Sequence, residues 1–234
     1  MYLTRFRVNT ARRQARELLG SPHRMHAAVN MSFPALLPRD GTDPRVLWRI
    51  DRNSAAEVLL FVVSPQRPDL THLVEQAGWP TTGTAGWQTF DYAAFLTRLS
   101  QGSIWSFRLT ANPVHSIRRK EGEPTKRTAH LTARHQIAWL LARKDAGFAI
   151  VEKPPASRLL PEGDEHQLIV RDQADLRFAK AAERRTVTLT AVTYDGRLQV
   201  TDPDALRRTL TQGLGKAKAY GCGLMTLAPL QPGA

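Results

Sequence analysis

The order of elements along the chain predicts an α+β protein built from two strand–helix–strand–strand–helix–strand passes, one after the other. Three observations carry this. Short runs of alternating apolar and polar residues recur along the 234 residues, as half-buried strands require. Stretches of helical periodicity fall between them, opened by capping residues and closed by glycine. The succession then repeats once, over residues 1–92 and again over about 101–234, across a polar Gly/Ser joint at Ser100-Gln101-Gly102. Each pass is a split βαβ unit, so the fold class is two ferredoxin-like (RRM-like) domains in tandem with antiparallel sheets. No residue-level repeat relates the halves, so the duplication rests on element order alone.

The first pass opens on a strand, Tyr2–Val8, in the alternating "MYLTRFRVN". That stretch contains no apolar core of the kind a signal peptide needs. A helix over Ala11–Leu19 follows, with Asn9 or Thr10 as cap and Gly20 as stop. Ser21-Pro22 opens a second helix, serine at the N-cap and proline at N1. Strands at Arg45–Asp51, Glu57–Val63 and Trp87–Tyr92 complete the pass. The element between Val63 and Trp87 is the least regular, since Pro65, Pro68, Gly78 and Pro80 interrupt it. In the second pass the strand Ser103–Ala111 leads to a helix over Ala133–Ala146, apolar at Ile137, Leu140 and Leu141 and stopped by Gly147. Strands at Phe148–Val151 and Thr186–Tyr194 follow. A helix starting at Thr201-Asp202-Pro203-Asp204 runs to about Gln212, and Met225–Ala228 is the last strand.

Charge narrows the function. There are 33 Lys+Arg against 21 Asp+Glu, a net charge of +12, which favours a polyanionic partner. The longest strongly apolar run, Val58–Val63, is far short of the roughly 20 residues that span a bilayer. No stretch pairs a lysine-rich face with a lipid-seeking one. Nucleic acid is therefore favoured over a membrane. The single cysteine, Cys222, rules out an internal disulfide and fits a reducing cytoplasm. It lies between glycines with no evident base, which suits a small packing residue better than a nucleophile. A two-metal carboxylate cluster and a Walker loop are both missing from the sequence.

Three loops concentrate the remaining signals. "NPVHSIRRKEGEPTKRTAH" (112–130) carries Arg118, Arg119, Lys120, Lys126 and Arg127; it reads as an exposed basic loop, either solvated or in contact with phosphates. "PEGDEHQ" (161–167) offers Glu162, Asp164, Glu165 and His166, but four ligand types in five residues need a frame to converge, and a solvated loop is expected rather than a metal site. "GLGKAKAYGCGL" (213–224) places Gly213, Gly215, Gly221 and Gly223 around Lys216 and Lys218. The glycines permit unusual backbone and close approach, and the lysines make an anionic guest the natural occupant.

In "SPHRMHAAVNMSFP" (21–34), His23 and His26 are spaced i, i+3 and share a face within the first two turns. The N–H groups there attract phosphate and disfavour imidazolium, which keeps an imidazole near neutrality. Such a ring can exchange the protons needed when a ribose 2′-hydroxyl attacks its own phosphate and the 5′ oxygen leaves. Cations or N–H groups must then stabilise the five-coordinate phosphorus. Ordinary packing or surface histidines remain the alternative reading of these two residues alone.

Taken together, the segments resemble a known family. "MYLTRFRV", "HRMHAAVNMSFP", "FRLTANP" (107–113), "QIAWLLARK" (136–144) and "GLGKAKAYGCGLMTLAPL" (213–230) are similar, in order and over nearly the whole length, to the CasE family. These are the CRISPR-associated repeat-RNA endoribonucleases of the type I-E Cascade complex. The last segment is the most specific, fitting the family's glycine-rich loop throughout. The resemblance implies a metal-independent, cofactor-free endoribonuclease of two ferredoxin-like domains. It would cut CRISPR precursor RNA at the base of each repeat hairpin, leaving a 2′,3′-cyclic phosphate and a 5′-hydroxyl. It would then stay bound to the mature crRNA beside the other Cascade subunits.

His26 falls on the family's catalytic histidine. The loop glycines would bring N–H groups close to RNA while Lys216 and Lys218 neutralise phosphates, and Arg118, Arg119, Lys126 and Arg127 would grip the duplex. Two positions depart from the family pattern. His23 stands where a tyrosine is common, and is expected as the catalytic partner of His26. Met31 stands where some members carry a lysine, so phosphorane stabilisation is expected from Arg24 or a loop lysine. The alternatives are a repeat-RNA-binding assembly subunit that cuts weakly or not at all, and a generic RRM-type binder, whose RNP1-like aromatics "EVLLFVV" does not supply.

Overall fold

The computed structural model describes residues 1–34, 45–80, 86–117, 126–180 and 185–230. The first pass contains β1 (Tyr2–Val8), α1 (Arg13–Leu19), α2 (Pro22–Asn30), β2 (Leu47–Ser54), β3 (Glu57–Ser64), α3 (Thr71–Ala77) and β4 (Trp87–Asp91). Its four strands lie in the order β2-β3-β1-β4, and the pairs are antiparallel. That is the split βαβ arrangement. Alternation along β1 explains the layers: Phe6 and Val8 are buried while Arg5 and Arg7 are exposed. Phe6 and Val8 meet Met25, Ala28 and Val29 of α2 in one core with Leu60 and Val62.

A short helix α4 (Tyr92–Leu96) leads to the second pass, which contains β5 (Ile104–Ala111), β6 (Val114–Ile117), β7 (Lys126–Ala129), α5 (Ala133–Leu141), β8 (Phe148–Ile150), β9 (Leu168–Lys180), β10 (Arg185–Val200), α6 (Pro203–Gln212) and β11 (Met225–Ala228). Its sheet runs β11-β5-β10, with β8 and β9 on successive parts of β10's other edge. β8 and β9 together occupy the position of one strand, so the ferredoxin-like order recurs. The model is thus an α+β chain of two ferredoxin-like units. The second core also takes in Leu47 and Val63 of the first sheet and Leu96 and Leu99 beside α4. Arg207 on α6 clasps this joint by donating to the Leu96 and Leu99 carbonyls, each at 2.9 Å.

Several expectations change in detail. The helix expected from Ala11 starts at Arg13, because Asn9 turns the chain first by accepting from the Ala11 N–H at 3.1 Å. The helix expected to reach Ala146 ends at Leu141 and gives way to a separate 3-10 turn at Lys144–Ala146. The basic segment 112–130 is not simply a loop: its two ends pair as the hairpin β6–β7. Strand β9 was not anticipated, since Arg171, Asp172, Asp175 and Arg177 interrupt its apolar pattern. In the acidic loop, Asp164 binds Lys153 and accepts from the Leu159 N–H, so its carboxylate organises the loop itself.

One charged side chain joins the two sheets. Arg49 of β2 is 1% exposed. It forms a bidentate pair with Asp51 at 2.6 and 2.9 Å, and donates to the carbonyls of Arg108 on β5 and Leu224 before β11 at 2.8 and 3.0 Å. Thr226 accepts a further bond at 2.8 Å. A buried guanidinium is tolerable only when its donors are met this fully. Arg49→Ala would leave Asp51 and two carbonyls short of donors, and should lower unfolding free energy by about 3–5 kcal/mol in urea titrations.

Candidate active site

Helix α2 presents the histidines. Ser21 caps it by accepting from the Arg24 N–H at 3.4 Å, and Pro22 occupies its first turn, as the sequence led us to expect. Met25, Ala28 and Val29 anchor the helix in the core, which leaves His23 and His26 half-buried and Arg24 exposed. Asn30, one turn beyond His26, was not anticipated as a site residue. Its Nδ2 lies 3.2 Å from His26 Nε2. His72 of α3 braces the same helix through the Ala28 carbonyl at 2.9 Å.

The glycine loop follows α6, whose cap also forms as expected: the Asp202 carboxylate accepts from the Asp204 and Ala205 N–H groups. Gly213 and Gly221 have φ of +79°, a region costly for other residues. A Cβ at Gly213 would come within 2.8 Å of Leu47, and one at Gly221 within 2.8 Å of the Trp48 ring. Gly215 sits similarly against Trp139. These glycines therefore seat the loop on the protein. The N–H groups of Gly213 and Gly223 are likewise taken internally, by the Thr209 and Thr110 carbonyls.

What the loop offers outward is charge. Lys216 is exposed and Lys218 half-buried, the Lys218 stem passing over Gly223, where a Cβ would lie 3.2 Å from its Cγ. Burial, reinforced by repulsion from Arg45 and Lys216, holds the Lys218 ammonium below the usual lysine range. An anion arriving among these three cations would relieve that strain. The turn Lys218–Tyr220 packs directly against α2. A cavity of about 150 Å³ lies beside this contact, lined among others by Pro22, Met25, Trp48, Tyr220 and Gly221, and not by His23, His26, Lys216 or Lys218.

The structure brings together some of the expected residues and separates others. His23 and His26 are on the helix that adjoins the turn opened by Lys218, and Lys216 lies two residues ahead of that turn. Arg24 is not a free cation, because it pairs with Glu17 at 3.3 Å. Met31 is 69% exposed and supplies no charge at the end of α2. Arg118 and Arg119 lie outside the described residues; Lys126 and Arg127 are in β7, their side chains outside what is described. Cys222 is buried, its thiol pushed up to about 12 by burial, as suits a packing residue.

At the root of the hairpin three histidines from separate segments stack. His115 and His130 have ring centroids 4.4 Å apart, and His130 and His135 5.9 Å apart. Burial, then repulsion from His115 and His135, lowers the His130 pKa. The unfolded chain therefore binds a proton that the folded one resists. Stability should be full above the ordinary histidine range and fall as pH drops through it. Thermal melts between about pH 7 and 5 should show that fall, shallower in His130→Gln.

Comparison with known proteins adds the following. A family model described as "CRISPR associated protein" matches residues 1–229. The CRISPR-associated endoribonuclease Cse3 of Thermus thermophilus is 30% identical over 233 residues, covering 98% of this chain and 100% of that protein. The CRISPR system Cascade subunit CasE of Escherichia coli K12 is 30% identical over 194 residues, 79% of this chain and 89% of that one. Among solved structures, Thermus thermophilus Cse3 bound to an RNA representing a pre-cleavage complex superposes with a TM-score of 0.74. It is 29% identical, over 97% of this chain and 98% of that one.

Proposed function

The chain belongs to the CRISPR-associated protein family, and we propose that it is the endoribonuclease that matures CRISPR precursor RNA and remains with the product as a Cascade subunit. Its partners are then the repeat hairpin, the mature crRNA and the other Cascade subunits, in the cytoplasm. The observation that carries this reading is the packing of the histidine helix α2 against the cationic turn Lys218–Tyr220.

In the proposed reaction the ribose 2′-hydroxyl loses its proton and its oxygen attacks the adjacent phosphorus. The bond from phosphorus to the 5′ oxygen breaks, and that oxygen gains a proton. The products are a 2′,3′-cyclic phosphate and a 5′-hydroxyl. His26 handles a proton through Nε2, since its Nδ1 is buried. Asn30, 3.2 Å from that nitrogen, orients the ring until RNA displaces the amide. His23, one turn earlier, partners it at the other oxygen. Lys218, with Lys216 and Arg45 beside it, stabilises the phosphorane in place of the lysine that Met31 has displaced. Imidazole and ammonium groups together supply every element the reaction requires, so it proceeds without a metal.

Cleavage of repeat RNA in excess chelator tests this reading. His26→Ala, or a 2′-deoxy group at the scissile nucleotide, should slow cleavage by about a hundredfold or more while leaving hairpin affinity intact. Undiminished cleavage in either case would overturn the mechanism. Lys218→Ala should cost about a hundredfold in rate, and adding Met31→Lys should restore part of it. If the parent protein binds the hairpin without cutting it, the exposed Met31 favours the second reading, a subunit that holds repeat RNA for assembly.

A further inference from the structure

We propose that the part of the first sheet's helix-free face left uncovered by the second sheet, around Arg5 and Arg7, is a second RNA site, one that takes unpaired nucleotides flanking the hairpin; the proposal rests on reading the chain as an RNA-processing protein. Arg5 and Arg7 project from β1 on the face opposite the helices, in register with Phe61 and Leu59 of β3, and Arg5 also with Gln88 of β4. Both arginines are exposed. Among the described residues, neither meets a carboxylate at ion-pair distance: Arg5 is held by the Gln88 side chain and Arg7 by the Ala56 carbonyl.

Aromatic surface completes the hollow. Trp79 reaches over from beyond α3, and the Arg7 guanidinium lies 5.0 Å from its ring centroid. The Trp79 side chain is 39% exposed. With Trp87 and Leu59 these residues line a concavity of about 750 Å³. The one carboxylate in its wall, Glu57, is engaged by Asn53 at 3.1 Å. Two arginines fixed in place, a guanidinium–indole stack and an open concave sheet are the components by which proteins hold single strands. Bases stack on the rings and guanidinium planes, and phosphates meet the charges. A stable protein contact would favour fewer unpaired charges at its centre. Helix α2 packs on the other face of this sheet, so the hollow takes RNA apart from the cut.

The test compares the full chain's affinity for a repeat hairpin with its affinity for the same hairpin carrying a tail of about eight unpaired uridines at the 5′ or the 3′ end. One tail should tighten binding by about tenfold, the effect of a single stacked base. A variant combining Arg7→Ala and Trp79→Ala should erase that gain and leave bare-hairpin affinity and cleavage unchanged. Arg7→Glu, at an exposed strand position, should do the same and replaces the double variant should that one misfold. Tails without effect, or a gain that survives both variants, would overturn the proposal. So would variants that keep the gain but lose other Cascade subunits, which would assign the hollow to protein. An uncut bare hairpin with a variant-sensitive tail would support the hollow and overturn the nuclease reading instead.

Discussion

The candidate site depends on how one edge strand, β2, is covered. Three successive residues of that strand each hold a different part of the glycine loop. Leu47 lies under Gly213 and Trp48 under Gly221, while Arg49 donates to the Leu224 carbonyl as the loop leaves. Arg49 dominates because its charge is buried and can be satisfied in only one arrangement of the two sheets. Asp51, which it pairs with, also receives Arg108, and Arg108 pairs in turn with Asp195 at 2.6 Å. The chain of opposite charges therefore runs from the first sheet through β5 to β10. Tilting one sheet against the other would break several short, desolvated contacts together.

That constraint explains why the glycines are where they are. An uncovered β2 would present unpaired backbone groups to any passing strand. Here the loop lies along it, and Arg45 ahead of β2 donates its N–H to the Thr211 carbonyl at the end of α6. A loop pressed so closely onto leucine and tryptophan has no space for side chains at the contact points, and its reversals need positive φ. Its own closure, from the Leu214 N–H to the Gly223 carbonyl at 2.9 Å, leaves Lys216 and Lys218 on the outside. The glycines thus hold the segment that carries these two lysines against the protein, with its turn beside α2.

Much of this was legible in the sequence where local rules decide it. The caps at Ser21 and Asp202, the alternation in β1 and the element order of the first pass all follow from neighbours a few residues apart. So did the pairing of histidines on one helix face. What escaped was set by distant partners. Strand β9 exists because β10 gives its charged residues an edge to pair with, which no window of its own sequence reveals. Arg49 reads as one more surface cation until the second sheet closes over it. The exposed pairing of Arg24 with Glu17, on the preceding helix, is likewise set by a partner outside its own element. The histidine stack gathers residues from β6, the end of β7 and α5, so no spacing announces it.

The same distinction bears on Met31. A lysine at the end of α2 would place its charge by local geometry, as part of the histidine helix. Losing it would be decisive if that helix were the only element bordering the site. The loop brings Lys218 to the same helix from about 190 residues away in the chain, and the glycine seating on β2 positions the turn that carries it. Burial, with Arg45 and Lys216 nearby, lowers the Lys218 pKa, and an arriving anion would offset that. Under the proposed mechanism, the scaffold around Arg49 is what holds the turn of Lys218 against α2.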